Sequence, residues 1–490
     1  MVAQGLVYAS MVGAYLIIIM GLAVYIATRW IDDPGDFMLA GREIGSWASG
    51  FALLAILMSG GFVPAIVLHG YLYGVGGAWF FWGWTIGQAL VFLTYATFWR
   101  RSGAYTPAEY FEFGYGVSGR LAVLLASIVA MLMIAAFQFV GAGALVAGLM
   151  GVDLFTAVVG VGGITIGYTL LSGMWGITIS DFIQAIWVMV SVFILIPVYL
   201  FMNHGMPSAA APDISAQMMQ WPFGSMAVAS FAGGTVISIV WQNWLLANSP
   251  YYWVRASATR SEKALRRGYM IAIVFSAFIA VSGAFIGLWA QMLTNPDAAD
   301  QAFGTLLADE VPVWLGGLAA SGVIAATMST ADAVYQGIVN TVVRDYVQRF
   351  TSINDRERLL LVGRLVVVVA GFLTVVIALA YPGQLGAMIA FAFAFVAPIF
   401  VLNFDAWLIR YGTKEAAVIT VLVIIPLVTY WEFYSPYIEA VNTLWVAGAV
   451  SFVMFYGIST LVRVTGPWWS DSVDNLGDQL SADIWRQGGD

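Results

Sequence analysis

Two adjacent hydroxyl side chains lie deep within a long apolar stretch of the chain. Residues 314–343 contain Ser329 and Thr330, and Ala326 precedes them by three and four positions. In a helix, this spacing places the Ala326 carbonyl on the same face as both hydroxyls. Neutral oxygens with about one carboxylate nearby suit a monovalent cation better than Ca²⁺. The alternative is that both hydroxyls bond back to carbonyls of their own helix.

Three carboxylates also fall inside or at the ends of apolar stretches: Asp181, Asp332 and Asp405. An unpaired carboxylate at this depth costs about 2.5–3.5 kcal/mol. Because every Lys and Arg lies elsewhere, we expect no basic partner at membrane depth, and a cation, a proton or water must balance the charge. Asp181 and Asp332 are therefore candidates for a cation or proton site. Asp405 is predicted to be a solvated structural residue.

Two glycine pairs interrupt apolar stretches at corresponding places in the two halves of the chain. They are Gly60-Gly61 and Gly233-Gly234. Glycine weakens a helix, and paired broken helices are typical of transporters whose binding site lies at the breaks. The alternative is that these glycines only permit close helix packing.

The composition defines the class of protein that must position these groups. Of 490 residues, 61% are hydrophobic and only 9% are charged, against about 25% charged in soluble domains. The chain is therefore predicted to be an all-α integral membrane protein. It has no cysteine and only two histidines, and no phosphate-binding glycine loop, so we do not expect an enzyme.

The basic residues predict the topology. About 13 stretches are long enough to cross the hydrocarbon as helices. With the N-terminus outside and the C-terminus inside, all 19 Lys and Arg fall in inner loops, adjoining helix ends or the tail, as the positive-inside rule requires. The outer loops are 204–225, 294–313 and 431–439. We expect a multi-pass protein of the plasma membrane.

Five motifs occur in an order that resembles one known family, the sodium:solute symporters. The motifs are Asp36-Phe37-Met38-Leu39-Ala40-Gly41-Arg42, Met58-Ser59-Gly60, Thr106-Pro107-Ala108-Glu109-Tyr110, Ser172-Gly173-Met174-Trp175 through Asp181 to Gln184, and Met328-Ser329-Thr330-Ala331-Asp332. Together the motifs lie within residues 6–463, the part of the chain that the resemblance spans.

The resemblance implies a leucine-transporter-like fold of two inverted five-helix repeats with flanking helices. The expected division is 1–45 (first flanking helix and inner amphipathic segment), 46–203 (first repeat), 204–225 (outer loop), 226–410 (second repeat), 411–463 (two flanking helices) and 464–490 (cytoplasmic tail).

The resemblance also implies that Na⁺ is the coupling ion and that the protein has a Na⁺-binding site. Its ligands would be the backbone carbonyls of Ala55, Met58 and Ala326 and the hydroxyls of Ser329 and Thr330. A second cation site in some members uses an aspartate matching Asp181 and serines after the hydroxyl pair. In this chain the two serine positions are occupied by Asp332 and Ala333. This leaves open whether the Asp332 carboxylate acts as a cation ligand or as a proton carrier.

The expected solute pocket lies beside the breaks and contains Ser59, Gly61, Phe62, Gln138, Trp241, Gln242 and Trp244. None of these is basic, so we expect a small neutral or zwitterionic solute, amino acid-like. The proline carriers have an aspartate where this chain has Leu57, so the solute is not inherited from that branch. The aromatic run 251–253 is typical of a membrane interface. The alternative is an aromatic cage for a quaternary ammonium, formed by Trp241, Trp244, Tyr251, Tyr252 and Trp253.

Three other functions remain open at this point: a solute-sensing receptor module of the same fold, a proton-coupled carrier using Asp332 or Asp181, and an ion channel. The expected partners are the solute and the lipid bilayer. Neither a nucleic acid nor an obligate protein partner is inferred.

Overall fold

The computed structural model describes residues 2–29, 39–208, 215–222, 224–225, 235–296, 299–353, 355–381, 385–435 and 443–468. Within these ranges the protein is helical, and its strand pairing is one isolated bridge between Ile44 and Thr259. The pair Gly233-Gly234, most of the tail 464–490 and part of the loop 204–225 lie outside the described residues.

In the described residues of its first half, the chain forms eight α-helices. They are α1 (Val2–Arg29), α2 (Ser46–Leu57), α3 (Phe62–Tyr73), α4 (Trp79–Thr94), α5 (Ala96–Ser102), α6 (Pro107–Met150), α7 (Leu154–Val188) and α8 (Leu195–His204). A π-helical turn, Met189–Ile194, joins α7 to α8. The long helix α6 is kinked at Gly116, whose φ of 67° is left-handed.

The described residues of the second half form eleven α-helices. They are α9 (Thr235–Leu246), α10 (Pro250–Ala258), α11 (Glu262–Leu293), α12 (Ala302–Asp309), α13 (Val313–Asn340), α14 (Gln348–Phe350), α15 (Arg356–Ala380), α16 (Leu385–Ala394), α17 (Ala397–Phe404), α18 (Lys414–Tyr434) and α19 (Thr443–Thr465). π-helical turns extend α13 over Thr341–Val347 and α17 over Asp405–Ile409.

The helices confirm the predicted class of integral membrane protein. In the described ranges, nine helices are long and apolar enough to cross a membrane, and a tenth span is a pair bent by 60° at the α2–α3 break. Other predicted spans are described only in part, such as 226–248, in which the structure describes the 12 residues of α9. Helix length therefore does not decide the count of about 13, which stays a prediction, as does the orientation.

The helix α13 lies at the centre of the bundle and is buried along almost its whole length. It packs against α1, α6 and α7. At the periphery, large apolar side chains are exposed, such as Ile17 of α1 (76%), Phe372 of α15 (65%) and Val453 of α19 (73%). Lipid tails are as apolar as these side chains, so this exposure is what a lipid-facing surface requires.

The start of α6 explains the Thr-Pro-x-Glu motif. The Thr106 hydroxyl accepts a hydrogen bond from the Glu109 amide at 3.0 Å, and the Glu109 carboxylate accepts one from the Tyr105 amide at 2.8 Å. Pro107 occupies the first turn, where its missing N–H is not needed. The motif is a variant of the capping box that begins a helix, with the carboxylate bonded to the amide one residue before the cap.

The segment 249–267, predicted as an inner loop, instead contains α10 and the start of α11. Every residue of α10 is buried. Its end is tied to the chain before α2, because the Ile44 amide donates to the Ala258 carbonyl at 3.2 Å and the Arg260 amide donates to the Ile44 carbonyl at 3.0 Å. The prediction was wrong because α10 is too short to show a span-like apolar run.

The side chains of the aromatic run 251–253 are buried inside the protein and do not face lipid. Tyr252 accepts a hydrogen bond from the Trp84 indole at 3.0 Å, and the ring of Trp253 lies 4.9 Å from that of Trp99. All three side chains of the run are at most 1% exposed. They form interior packing, which neither the interface interpretation nor the aromatic cage anticipated.

Candidate cation and solute site

The helix break lies between α2 and α3. Leu57 is the last residue of α2, and Met58, with φ −74° and ψ 55°, is the first residue beyond it. Phe62 begins α3. The carbonyls in the last turn of a helix have no intrahelical amide donor, so those of Ala55 and Ile56 are available to other partners.

The hydroxyl pair of α13 meets these carbonyls. The Ser329 hydroxyl lies 3.2 Å from the Ala55 carbonyl oxygen and 2.9 Å from that of Ala326. The Thr330 hydroxyl lies 3.1 Å from the Ile56 carbonyl oxygen. The structure therefore brings together four of the five residues predicted for the Na⁺ site.

Met58, the fifth residue, is buried in the break itself, with its amide bonded to the Leu54 carbonyl at 3.0 Å. Ile56 was not predicted. Every residue carries a carbonyl, so no feature of its side chain could have indicated that this one faces Thr330.

Glycine at the break allows α13 and α6 to approach the backbone. A Cβ atom on Gly60 would lie 1.8 Å from the Thr327 hydroxyl oxygen, and one on Gly141 would lie 2.7 Å from the Gly61 Cα. Both approaches are too close for any side chain. Close packing and the break, which were alternative interpretations of Gly60-Gly61, are therefore both present.

The first amides of α3 are satisfied by side chains. The Gly61 amide donates to the Gln138 side-chain oxygen at 3.2 Å, and the Phe62 amide donates to the Ser59 hydroxyl at 3.3 Å. Both side chains are buried. Of the predicted pocket residues, Ser59, Gly61, Phe62 and Gln138 thus lie together at the break.

An aromatic cluster lies directly beside the break. The ring of Phe62 lies 5.6 Å from that of Phe80, 5.9 Å from that of Phe137 and 6.4 Å from that of Phe393. These residues come from α3, α4, α6 and α16. They place an apolar wall next to the polar break.

The predicted pocket residues of α9 lie in a different environment. Trp241 stacks on Trp445 with ring centroids 5.8 Å apart, and Trp244 meets Phe400 edge-on at 4.8 Å. Gln242 is half-buried. Their described ring contacts are thus with α17 and α19, while Gly233-Gly234, the predicted second break, is outside the described residues.

Asp181 has a basic partner, contrary to the prediction. Arg255 of α10 donates to the Asp181 carboxylate, and both side chains are almost completely buried. The expectation failed because Arg255 was assigned to an inner loop, whereas α10 folds into the interior. The structural signal for this pair was present only in the tertiary packing.

Asp332 lies in the same buried region but has a different set of contacts. Thr169 of α7 donates to one of its carboxylate oxygens, and the other oxygen has no hydrogen-bond partner among the described residues. Asp181 and Arg255 both lie within electrostatic range of Asp332. A guanidinium and two carboxylates therefore share this interior region.

Asp405 is buried, whereas a solvated residue was predicted. Its carboxylate accepts hydrogen bonds from the Tyr115 hydroxyl at 3.0 Å and from the amides of Tyr411 and Gly412 at 3.0 and 3.1 Å. These donors compensate the charge where water was expected.

The oxygens at the α2–α13 contact fit a small monovalent cation. They are backbone carbonyls and hydroxyls, which are hard neutral ligands, and the residues that carry them are at most 2% exposed. Among the described residues, no cluster of three or more His, Cys, Asp or Glu is arranged to hold a metal ion. The donor set therefore favours a monovalent ion over a multiply charged one.

Comparison with known proteins agrees with this chemistry. The model of the sodium:solute symporter family matches residues 37–405. The high-affinity proline transporter PutP of Bacillus subtilis is 25% identical over 390 residues, covering 76% of this chain and 80% of that protein. The sodium/sialic acid symporter NanT of Aliivibrio fischeri is 26% identical over 389 residues, covering 74% of each.

Solved structures show the same fold at lower identity. A Na⁺-coupled sialic acid symporter in a substrate-bound outward-open state aligns with a TM-score of 0.75 and 17% identity, over 95% of this chain and 99% of that one. Mhp1, a nucleobase-cation-symport-1 family transporter, aligns with a TM-score of 0.55 and 14% identity, over 92% and 99%. The family model matches most of the chain. The chain therefore belongs to the sodium:solute symporter family, which is a family of membrane transporters and not of enzymes.

Proposed function

We propose that the protein is a secondary active transporter of the plasma membrane that carries a small neutral or zwitterionic, amino acid-like solute together with Na⁺ by alternating access. The observation that carries this proposal is the meeting of the Ser329 and Thr330 hydroxyls with the Ala55 and Ile56 carbonyls across the helix break. Family membership and the Na⁺-coupled relatives support the coupling.

The Na⁺ ligands are Ala55, Met58, Ala326, Ser329 and Thr330. Ser329 and Thr330 rotate their hydroxyl protons away from the carbonyls and offer lone pairs in their place. The Na⁺ gradient across the membrane would drive transport. The bound ion would also connect the carbonyls of the helix break to the hydroxyls of α13. Ser59 and Gly61 lie in the same break. When Na⁺ fixes the backbone of the break, it therefore also fixes these two residues of the solute site. By linkage each ligand then raises the affinity for the other equally, typically by about 1–3 kcal/mol.

The proposed solute contacts are Ser59, Gly61, Phe62, Gln138, Trp241, Gln242 and Trp244. Their polar groups can bond a carboxylate or an amine, while the aromatic rings cover an apolar side chain. None is Lys or Arg, so a strongly anionic solute lacks a fixed counter-charge. Relatives described as proline transporters support the amino acid-like class.

The topology that we propose has about 13 spans, with the N-terminus outside and the C-terminus inside. Two inverted five-helix repeats occupy 46–203 and 226–410. Residues 1–45 and 411–463 flank them, 204–225 forms the outer loop, and 464–490 is the cytoplasmic tail. Solute and lipid are the partners, and no obligate protein partner is proposed.

Uptake into proteoliposomes tests the proposal. We expect accumulation of a zwitterionic amino acid from a panel only when external Na⁺ exceeds internal Na⁺, and none when choline replaces Na⁺. In Ser329→Ala/Thr330→Ala, the Na⁺ concentration for half-maximal uptake should rise at least tenfold. Thr429→Ala is the control, because that hydroxyl also bonds back within its helix, at 2.9 Å from the Ile425 carbonyl oxygen. Unchanged Na⁺ dependence in the double variant contradicts the site, and binding without accumulation indicates a sensor.

Asp332 supports a second candidate, a further cation site or proton coupling. One of its carboxylate oxygens is buried and has no hydrogen-bond partner in the part of the chain that the structure describes, which is costly unless a cation or a proton is supplied. Asp181, the other candidate ligand, already has Arg255. Asp332→Asn keeps the shape and removes the charge, so it should lower the Hill coefficient for Na⁺ if a second ion binds, or flatten the pH dependence of uptake if a proton does. If the Hill coefficient for Na⁺ and the pH dependence of uptake both stay as in the wild type, Asp332 neither binds a second ion nor carries a proton.

A further inference from the structure

A groove at one end of the bundle carries a concentration of positive charge that the transport site does not use. It has a volume of about 630 Å³ and lies between the start of α2 and the first turns of α11. Its lining includes Arg260, Arg266 and Arg267, and none of its lining residues is acidic. All three arginines are exposed.

These arginines have no carboxylate partner within ion-pair distance in the described part of the chain. Glu262 is the nearest acidic residue in sequence, but Arg101 occupies both of its oxygens at 2.5 and 3.0 Å. The three guanidinium groups therefore leave a net positive charge at the groove. Guanidinium groups match the geometry of phosphate and carboxylate groups and are well suited to recognising phosphate.

The groove is held in place by the backbone. The Arg260 amide bonds to the Ile44 carbonyl at 3.0 Å, which fixes Arg260 beside the start of α2. Deeper in the bundle α2 and α11 touch directly, because a Cβ atom on Gly50 would lie 2.8 Å from the Ile271 Cβ. The groove thus lies beside a contact at which two helices pack tightly.

An apolar path leads away from the arginines along α11. Met270 (51% exposed), Val274 (62%) and Phe278 (46%) follow Arg266 at intervals of four, so they lie on one face of the helix. Trp47, which also lines the groove, is 62% exposed. Tryptophan side chains are enriched at the depth of the lipid headgroups in membrane proteins.

We propose that this groove binds an anionic phospholipid. The headgroup phosphate bonds to Arg260, Arg266 and Arg267, and an acyl chain follows Met270, Val274 and Phe278. Basic pockets between transmembrane helices are known to hold anionic headgroups. The continuous apolar path distinguishes a lipid from a free phosphate, which would use the arginines alone. The inference does not depend on which solute is carried.

The test uses delipidated, full-length protein in detergent and follows thermal unfolding during titration with dioleoyl phosphatidylglycerol, phosphatidylcholine or glycerol phosphate. Stabilisation should be greatest with phosphatidylglycerol, since a ligand that binds the folded state raises its stability. Arg266→Gln/Arg267→Gln should weaken the apparent affinity for phosphatidylglycerol about 30-fold, which corresponds to about 2 kcal/mol.

The matched control is Arg358→Gln/Arg364→Gln, which removes two exposed arginines from α15. This variant should retain the wild-type affinity. Equal loss in both variants would mean diffuse attraction to the protein surface and would overturn the proposal. Equal stabilisation by phosphatidylcholine, or by glycerol phosphate, would overturn the assignment to an anionic lipid. If the double variant does not fold, the single variants serve, each with an expected loss of about fivefold.

Discussion

Arg255 of α10 donates a hydrogen bond to Asp181 of α7, so a guanidinium and a carboxylate far apart in sequence neutralise each other in the interior of the bundle. The pair connects the short helix α10, which is bonded by backbone to the chain before α2, with a long helix that packs on α13. It therefore links elements on both sides of the candidate cation site.

Removing one member of this pair should be strongly destabilising. Arg255→Met leaves the Asp181 charge buried without its partner, and we expect a loss of about 3–5 kcal/mol of unfolding free energy. Arg255→Met/Asp181→Leu removes both charges and should recover most of it. Thermal unfolding in detergent measures both variants.

The control for this prediction is Arg101→Gln, which breaks a partly exposed pair with Glu262 and should cost at most about 1 kcal/mol. An Arg255 variant as stable as the Arg101 variant would show that the buried pair contributes little.

Gly60→Ala should separate α13 from the helix break. The new Cβ would lie 1.8 Å from the Thr327 hydroxyl oxygen, and overpacking of this kind typically costs about 1–3 kcal/mol. Because Ser329 is on the same helix, Na⁺ affinity should fall as well. The Na⁺ concentration for half-maximal uptake measures the loss of Na⁺ affinity, and thermal unfolding measures the loss of stability.

Gly148→Ala in α6 is the matched control for Gly60, since nothing lies within 4 Å of its would-be Cβ. Alanine favours a helix by up to about 1 kcal/mol over glycine, so this variant should be neutral or slightly more stable. A Gly60 variant with the same behaviour would contradict the close approach of Thr327 to the break.

Gln138→Leu should destabilise the start of α3. It leaves the Gly61 amide without its acceptor at 3.2 Å, and an unsatisfied buried donor costs about 1–3 kcal/mol. Gln88→Leu provides the comparison, because both polar atoms of Gln88 are buried without a partner in the described structure, and its removal should be neutral or stabilising.

Unfolding curves and the solute concentration for half-maximal uptake separate the two roles of Gln138. If Gln138→Leu raises that concentration with no change in stability, then Gln138 acts mainly on the solute and not on the helix break.

Thr106→Ala should cost more than an ordinary cap. Besides capping α6, the Thr106 hydroxyl donates to the buried Asp345 carboxylate at 2.7 Å, where Arg120 also donates at 2.8 Å. Loss of the cap alone is typically about 1 kcal/mol, so we expect about 2 kcal/mol here. Asp153→Ala, at the exposed start of α7, removes a cap together with a local hydrogen bond from the Thr156 hydroxyl at 2.6 Å. Equal losses in thermal unfolding would exclude a contribution from Asp345.

Local patterns in the sequence were sufficient for the family, the membrane class and the first break. The pair Gly60-Gly61 and the hydroxyl pair Ser329-Thr330 were identified from residue type and spacing, because glycine and hydroxyl groups have specific conformational and bonding properties. The family prediction is confirmed by the match over residues 37–405. The roles of the individual site residues stay predictions.

The placement of α10 was not predictable in the same way. Its nine residues carry too few apolar positions to resemble a span, and Arg255 suggested an exposed loop. Only neighbouring helices can bury an arginine, by supplying Asp181. The same reason applies to Ile56, since a carbonyl contact has no signature in the side chain.

By itself, then, the sequence determined that this chain lies in a bilayer as helices, that one helix is interrupted at Met58–Gly61 and that the Ser329 and Thr330 hydroxyls lie together within another helix, because hydropathy and helix breaking are local properties. Tertiary structure alone decided which oxygens meet and which charges are paired. Those outcomes depend on distances between helices that are remote along the chain, and short gaps such as that between Gly60 and Thr327 are set by packing.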